Sequence, residues 1–244
     1  MPRLFCQDNS GVVELETEVR ASRRGALLLS KSPFYPGGGG QLADRGVLHW
    51  QHGETRISGF SEEGPHVWIR LAEDIEVTGP VRAVVDSSFR QLMRELHTGL
   101  HILNALVFRE FAGALVTGAQ MNEDGTARID FDLPDADNEG LRALEGELNE
   151  VVRRDLAVSV SYVPLTTASS TPGLLRSRSV TPPPTAEGLI RIVEIAGLDA
   201  QACGGTHLDS TGGSRPIRIL KIENKGRHNR RVRIALEDVP AGTS

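Results

Sequence analysis

Hydrophobic periodicity changes once along this chain, near Asp86, and no single repeating architecture satisfies both sides of the change. Before it, "VVELETEV", "GALLLSKS", "GVLHW", "TRISGF", "HVWIRL" and "VRAVV" read as short strands separated by turn residues. Strands at that spacing predict a small β-barrel or sandwich, with Trp50 and Trp68 in its core. After it, "DSSFRQLMRELHTGLHILNALVFREF" sets Phe89, Leu92, Leu96, Leu100, Leu103 and Val107 at three- and four-residue intervals. That spacing predicts a helix with Asp86 or Ser87 as its N-cap. The expected division is therefore a barrel-like domain over residues 1–85 and a second domain over residues 86–244.

A second helix is predicted over 138–156, with Leu141, Leu144, Leu148 and Val152 on one face. "ARIDFDL", "VSVSYVPL" and "LIRIVEI" read as strands, and "PIRILKIEN" with "RRVRIAL" as a closing antiparallel hairpin. Helices on one face of a mostly antiparallel sheet give an α+β fold class. Two segments fit neither period. "SPFYPGGGGQLADRG" holds four consecutive glycines, Gly37 to Gly40, which marks close backbone approach or a mobile loop. Residues 171–188 hold four of the chain's 13 prolines and read as a long loop, with Arg176 and Arg178 available to a phosphate.

Composition excludes several classes. Cys6 and Cys203 are the only cysteines, and "MPRLFCQDNS" has no apolar signal-peptide core, so the expected location is cytoplasmic and not a secreted disulfide framework. No run approaches the roughly 18 apolar residues of a membrane helix. The formal net charge of −5 argues against nucleic acid until its distribution is considered. Residues 215–233 carry eight Lys or Arg against one acid, Glu223. Such a segment is either a basic face for nucleic acid or a strand edge protected by charge.

Chemistry concentrates in two pairs. His97 and His101, in "HTGLH", are four apart and project side by side from a helix. Cys203 and His207, in "CGGTH", bracket two glycines that let a thiolate and an imidazole converge. Three nitrogens and one sulfur suit zinc better than magnesium or calcium, which take oxygen ligands. Four protein ligands describe a closed structural site, whereas a catalytic zinc keeps one position open, and the motifs alone leave both readings standing.

"SPFYPGGGGQLADRG", "FRQLMRELHTGLHILNAL", "ARIDFDL", "ACGGTH" and "KIENKGRHNRRVRIAL" follow one another as in the editing domain of alanyl-tRNA synthetase and its free-standing AlaX-type relatives. The resemblance covers nearly the whole chain and is to the medium-length, free-standing type. It departs from many relatives after "CGGTH", where this chain reads "LDSTGGSRP". The resemblance implies an ATP-independent aminoacyl-tRNA deacylase acting on tRNA(Ala) mischarged with serine, and with glycine as a further substrate. It implies Zn2+ on His97, His101, Cys203 and His207, and an amino-acid pocket reached by Thr117. It also implies a substrate role for the glycine-rich stretch through Gly39, Gly40 and Gln41, with Gln41 positioning water or the ribose. Lys221, Lys225, Arg227, Arg230 and Arg231 would then meet tRNA phosphates together with Arg176 and Arg178. Two other functions fit the same ligands: a non-catalytic tRNA-binding module with structural zinc, and a zinc hydrolase of a small-molecule ester or amide. Both a monomer and a homodimer fit the sequence.

Overall fold

The computed structural model of the protein describes residues 3–111, 113–134, 137–177 and 182–237. The fold is α+β, and the chain divides into two compact units. One comprises Met1–Gly38 with Leu42–Gln91, the other Gly39–Gln41 with Leu92–Ser244. The division falls inside a helix.

The first unit opens on a single helical turn, α1 (Phe5–Asp8), which no periodicity announces. Six strands follow: β1 (Glu14–Arg23), β2 (Ala26–Leu29), β3 (Gly46–Trp50), β4 (Gly53–Glu63), β5 (His66–Leu71) and β6 (Pro80–Val85). They close an antiparallel barrel in the order β1-β2-β5-β4-β3-β6, which leaves no open edge. Alternate residues supply the core, among them Leu27, Leu48, Ile69, Val81 and Ala83. Trp50 packs against that core as expected. Trp68 does not, because it precedes the inward Ile69 by one residue and so faces outward, where the Arg23 guanidinium lies 4.2 Å over its ring. Gly46 marks the tightest point of the wall, since a Cβ there would stand 2.1 Å from the Val84 carbonyl oxygen.

The connection from β2 to β3 is anchored by one buried ion pair. Arg90, 1 % exposed, donates Nε to Asp44 Oδ1 at 3.1 Å and also pairs through Nη2 with Asp44 Oδ2. The same guanidinium donates to the carbonyls of Ser10 (2.8 Å) and Pro33 (2.6 Å), while Asp44 accepts from the Tyr35 amide at 2.5 Å. Both ends of the proline- and glycine-rich connection are thus tied to one side chain.

The long helix α2 (Ser87–Glu110) begins where the period changes, and Asp86 Oδ1 caps it by accepting from the Phe89 amide at 3.0 Å. Residues 93–107 are buried on every face, so the helix is an interior element and not an amphipathic one. Leu92, counted with the apolar face, is only half-buried. Beyond it lie β7 (Leu115–Met121), β8 (Thr126–Asp132), α3 (Asn138–Arg153), β9 (Val158–Pro164), α4 (Leu165–Ser170), β10 (Leu189–Ile195), β11 (Asp199–Ala202), β12 (Ile217–Lys225) and β13 (Asn229–Leu236). Two antiparallel sheets result, in the orders β12-β13-β8-β7 and β11-β10-β9. The α2 helix crosses the first sheet at Gly99, where a Cβ would fall 2.6 Å from Ile217 Cδ1. The α3 helix, capped by Asp137, buries Leu141, Leu144, Leu148, Val151 and Val152, and its Asn149 side chain exchanges two hydrogen bonds with the Ile217 backbone.

Removing one partner of a buried ion pair leaves the other charge uncompensated. Arg90→Ala is therefore expected to cost about 3–5 kcal/mol of stability, and the double replacement Arg90→Met with Asp44→Leu much less. Denaturant melts of the two variants beside the wild type measure the difference.

Candidate metal centre

The two histidines of α2 and the two ligands after β11 meet in the second unit. One ligand atom from each of His97, His101, Cys203 and His207 lies within 4.8 Å of the others, and all four side chains are buried. Cys203 Sγ stands 3.4 Å from His97 Nε2 and 3.3 Å from His207 Nε2. A nitrogen and a sulfur on one tetrahedral zinc stand about 3.5 Å apart, so the donor set fits that ion in element, number and spacing.

The second ring nitrogens of two of the three histidines contact side chains of the same unit. His97 Nδ1 contacts Gln41 Oε1 at 2.9 Å, and His207 Nδ1 contacts Thr98 Oγ1 at 3.3 Å. Because an amide oxygen only accepts, His97 carries its proton on Nδ1 and presents a bare Nε2 lone pair. Burial, reinforced by the charge of Arg191, pushes the His97 pKa down to about 3. Burial likewise holds His101 and His207 well below the ordinary value, with repulsion from His97 adding to both. Burial pushes the Cys203 thiol up, the penalty that a bound cation reverses by stabilising the thiolate.

The loop bearing Cys203 and His207 is held by three side chains outside both motifs. Arg191, on β10, donates Nη1 to the carbonyls of Cys203 (2.7 Å) and Gly205 (3.0 Å). Arg94, one turn before His97, donates Nε to the His207 carbonyl at 2.6 Å. Gln41 Oε1 accepts from the Thr206 amide at 3.0 Å while Nε2 donates to Thr206 Oγ1 at 2.8 Å. The Gly205 amide points at Cys203 Sγ, 3.3 Å away. A Cβ on Gly205 would lie 2.0 Å from His97 Cε1, so only glycine admits the ring at this position.

The remaining expected residues are placed variously. Gln41 is 3 % exposed and commits its amide to His97 and Thr206; it orients ligands, where direct contact with water or the ribose was expected. Gly40, at φ +88°, accepts from the Met121 amide at 2.8 Å, and a Cβ on it would stand 2.4 Å from the Ala119 carbonyl oxygen. Gly40 therefore lies against β7, and Gly39 beside it, at φ +62°, has open space where a side chain would be. Thr117 sits at a register break in β7, half-buried, with Oγ1 donating to Asn229 Oδ1 at 3.3 Å.

Arg176 corrects the expectation of a phosphate contact: it is turned inward, stacked 3.8 Å over Phe108 and paired with Asp199 at 2.5 Å. Arg178 lies outside the described residues. On the β12–β13 hairpin, Lys221, Lys225 and Arg227 are exposed, though Lys221 and Lys225 stand 3.2 and 4.0 Å from Glu223. Arg231 is bound through two nitrogens to Asp130, and Arg230 donates to the Pro134 carbonyl at 2.9 Å. Hydrogen bonds from Arg233 and Lys221 hold Glu223 down to about 2, so the hairpin's charge is partly compensated within the sheet.

Comparison with known proteins identifies the scaffold. Residues 9–89 match the class II (A) tRNA synthetases, and residues 190–233 the threonyl and alanyl tRNA synthetase second additional domain. The chain is 35 % identical over 94 % of its length to the alanyl-tRNA editing protein AlaX-M of Saccharolobus solfataricus, covering 96 % of that protein. The chain belongs to the AlaX-M family. Another member, from Methanosarcina mazei, is 31 % identical over 94 % of each chain. The alanine–tRNA ligase of Korarchaeum cryptofilum is 33 % identical over 89 % of this chain, which spans 24 % of the ligase. The 190–233 match takes in Arg191, Cys203, Gly205 and His207, the candidate ligand loop together with the arginine that shapes it.

Replacing a side chain that orients a metal ligand typically weakens binding about 10- to 100-fold. Gln41→Leu is expected to do so, and Gly205→Ala, which drives a methyl into the His97 ring, to do more; competitive chelator titrations report both. The imidazoles add a pH dependence. Their pKa values fall on folding, so the stability they contribute is complete above the unfolded value, about 6.5, and is lost as pH falls toward the folded value, about 3 for His97. The urea midpoint of chelator-treated protein should drop between pH 7 and pH 5, and an unchanged midpoint would contradict burial of the neutral rings.

Proposed function

We propose that this protein hydrolyses the ester bond of tRNA(Ala) mischarged with serine, and with glycine as a second substrate, releasing free amino acid and tRNA. The observation that carries this reading is the buried three-nitrogen, one-sulfur cluster, set in a chain that matches alanyl-tRNA editing proteins over almost its whole length. A synthetase pocket built for alanine rejects an isostere with one added hydroxyl only about 10²-fold, so a separate hydrolytic site is the physical remedy.

His97, His101, Cys203 and His207 would hold zinc, which when bound would supply Lewis-acid chemistry for the ester hydrolysis. Gln41, Arg94 and Arg191 keep the ligand loop in place before substrate arrives. Backbone amides of Gly39 and Gly40, which lie outside the named strands, offer donors to negative charge developing on the carbonyl oxygen. Thr117 Oγ1 keeps lone pairs beyond its bond to Asn229, and a serine hydroxyl donates to them where an alanine methyl leaves them unmet. Substrate closing over the half-buried Thr117 would leave that acceptor unmet beside an alanine methyl, which disfavours correctly charged tRNA. Lys221, Lys225 and Arg227 are the exposed hairpin cations that meet tRNA phosphates, joined by Arg230 and Arg231 on β13 of the same hairpin.

Four protein ligands also describe a closed structural site, which favours a tRNA-binding module without turnover as the second reading. Single-turnover release of labelled amino acid from Ser-, Gly- and Ala-tRNA(Ala), with native and chelator-treated protein and no nucleotide added, separates the two. The proposal expects metal-dependent release of serine with alanine spared, and a narrowed Ser/Ala ratio in Thr117→Val. Binding of tRNA without release from any of the three would establish the module.

A further inference from the structure

The α2 face that carries the histidines continues one turn further. His97, His101 and Asn104 stand at positions i, i+4 and i+7 and share that face. Opposite, Asp199 and Gln201 alternate along β11 toward Cys203, two residues beyond Gln201. Ligand and non-ligand residues therefore run along the same two elements, and the non-ligands form a buried polar chain. Asn104 Nδ2 donates to Gln201 Oε1 at 2.7 Å, Gln201 Nε2 donates to Asp199 Oδ2 at 2.6 Å, and Asp199 Oδ1 pairs with Arg176 Nη2 at 2.5 Å. The Arg176 carbonyl in turn accepts from the Val116 amide at 2.9 Å, next to Thr117. The chain thus leads from beside His101 and Cys203 to the strand that bears Thr117.

The direction of these bonds is determined. A carboxylate paired with a guanidinium accepts, so Gln201 must turn its NH2 toward Asp199 and its oxygen toward Asn104. Asn104 must then turn its own NH2 toward Gln201, which leaves Oδ1 as the atom outside the chain of bonds. Asn104 is 3 % exposed, and its Oδ1 makes no hydrogen bond among the described residues. A buried carbonyl without a donor is destabilising, and it is found where a ligand completes the bond.

We infer that Asn104 Oδ1 is a substrate contact that accepts a hydrogen bond from the α-amino group of the aminoacyl ester. This rests on the hydrolase reading above. An amide oxygen can only accept, and the amino group is the donor that serine and glycine esters have in common. Asp199 pairs with Arg176 and offsets its charge at the far end of the chain. Asn104 thereby holds the group common to all aminoacyl substrates, and Thr117 reads the hydroxyl that distinguishes serine.

The test compares single-turnover release from seryl-tRNA(Ala) with release from the 3-hydroxypropionyl ester of the same tRNA, which keeps the serine hydroxyl and lacks the amino group. Each rate is normalised to spontaneous hydrolysis. The wild type should favour the seryl ester by about 10- to 100-fold, the range of a hydrogen bond to a charged group. Asn104→Ala should lose a similar factor on the seryl ester and less than about 3-fold on the analogue, with zinc content and the Ser/Gly ratio unchanged. Equal losses on both esters, loss of zinc, or a wild type indifferent to the amino group would each overturn the assignment. The wild-type comparison needs no variant, so it decides even if Asn104→Ala fails to fold. Absence of seryl release by the wild type would overturn the hydrolase reading, and this inference with it.

Discussion

Burying four potential ligands at one point is unfavourable until something positive occupies it, and the structure meets part of that difficulty by setting the proton of His97 in advance. Gln41 is the residue on which this depends. Its amide oxygen accepts from His97 Nδ1 and from the Thr206 amide at once, so the helix-borne and loop-borne halves of the centre are referenced to one atom. The same contact selects the His97 tautomer with Nε2 free. Without it, neither the ring orientation nor the position of the loop would be determined by the backbone alone.

The glycines act on the same constraint from the other side. Gly205 admits the His97 ring, and Gly40 lets the segment bearing Gln41 lie against β7. Thr117 therefore shares a strand with residues that touch the glycine run, while the Asn104 chain reaches that strand through Val116. Metal ligands, glycine run and polar chain are parts of one arrangement, in which the helix supplies the rigid axis and short irregular segments supply the chemistry.

Period and turn residues made much of this fold legible in advance. The six barrel strands, the helix after Asp86, α3 with its Leu141, Leu144 and Leu148 face, and the β12–β13 hairpin all follow local patterns that packing reinforced. What escaped had weak local signals. β7 contains a glycine and a register break, β11 is four residues long, and α1 and α4 are single turns or little more. Trp68 was misplaced because a one-residue shift in strand register reverses a side chain. At the site, the paired spacings of His97 with His101 and of Cys203 with His207 disclosed the ligands, since ligand chemistry is local. Arg191 and Arg94 act through backbone carbonyls remote in sequence, and the inward turn of Arg176 depends on Asp199 and Phe108; no local pattern encodes such partners.

The central claim is that His97, His101, Cys203 and His207 form one buried zinc centre. X-ray absorption at the zinc edge of the purified protein tests it most directly. The account predicts one zinc per chain, with three nitrogen ligands at about 2.0–2.1 Å and one sulfur at about 2.3 Å. A first shell of oxygen alone, or one without sulfur, would contradict it.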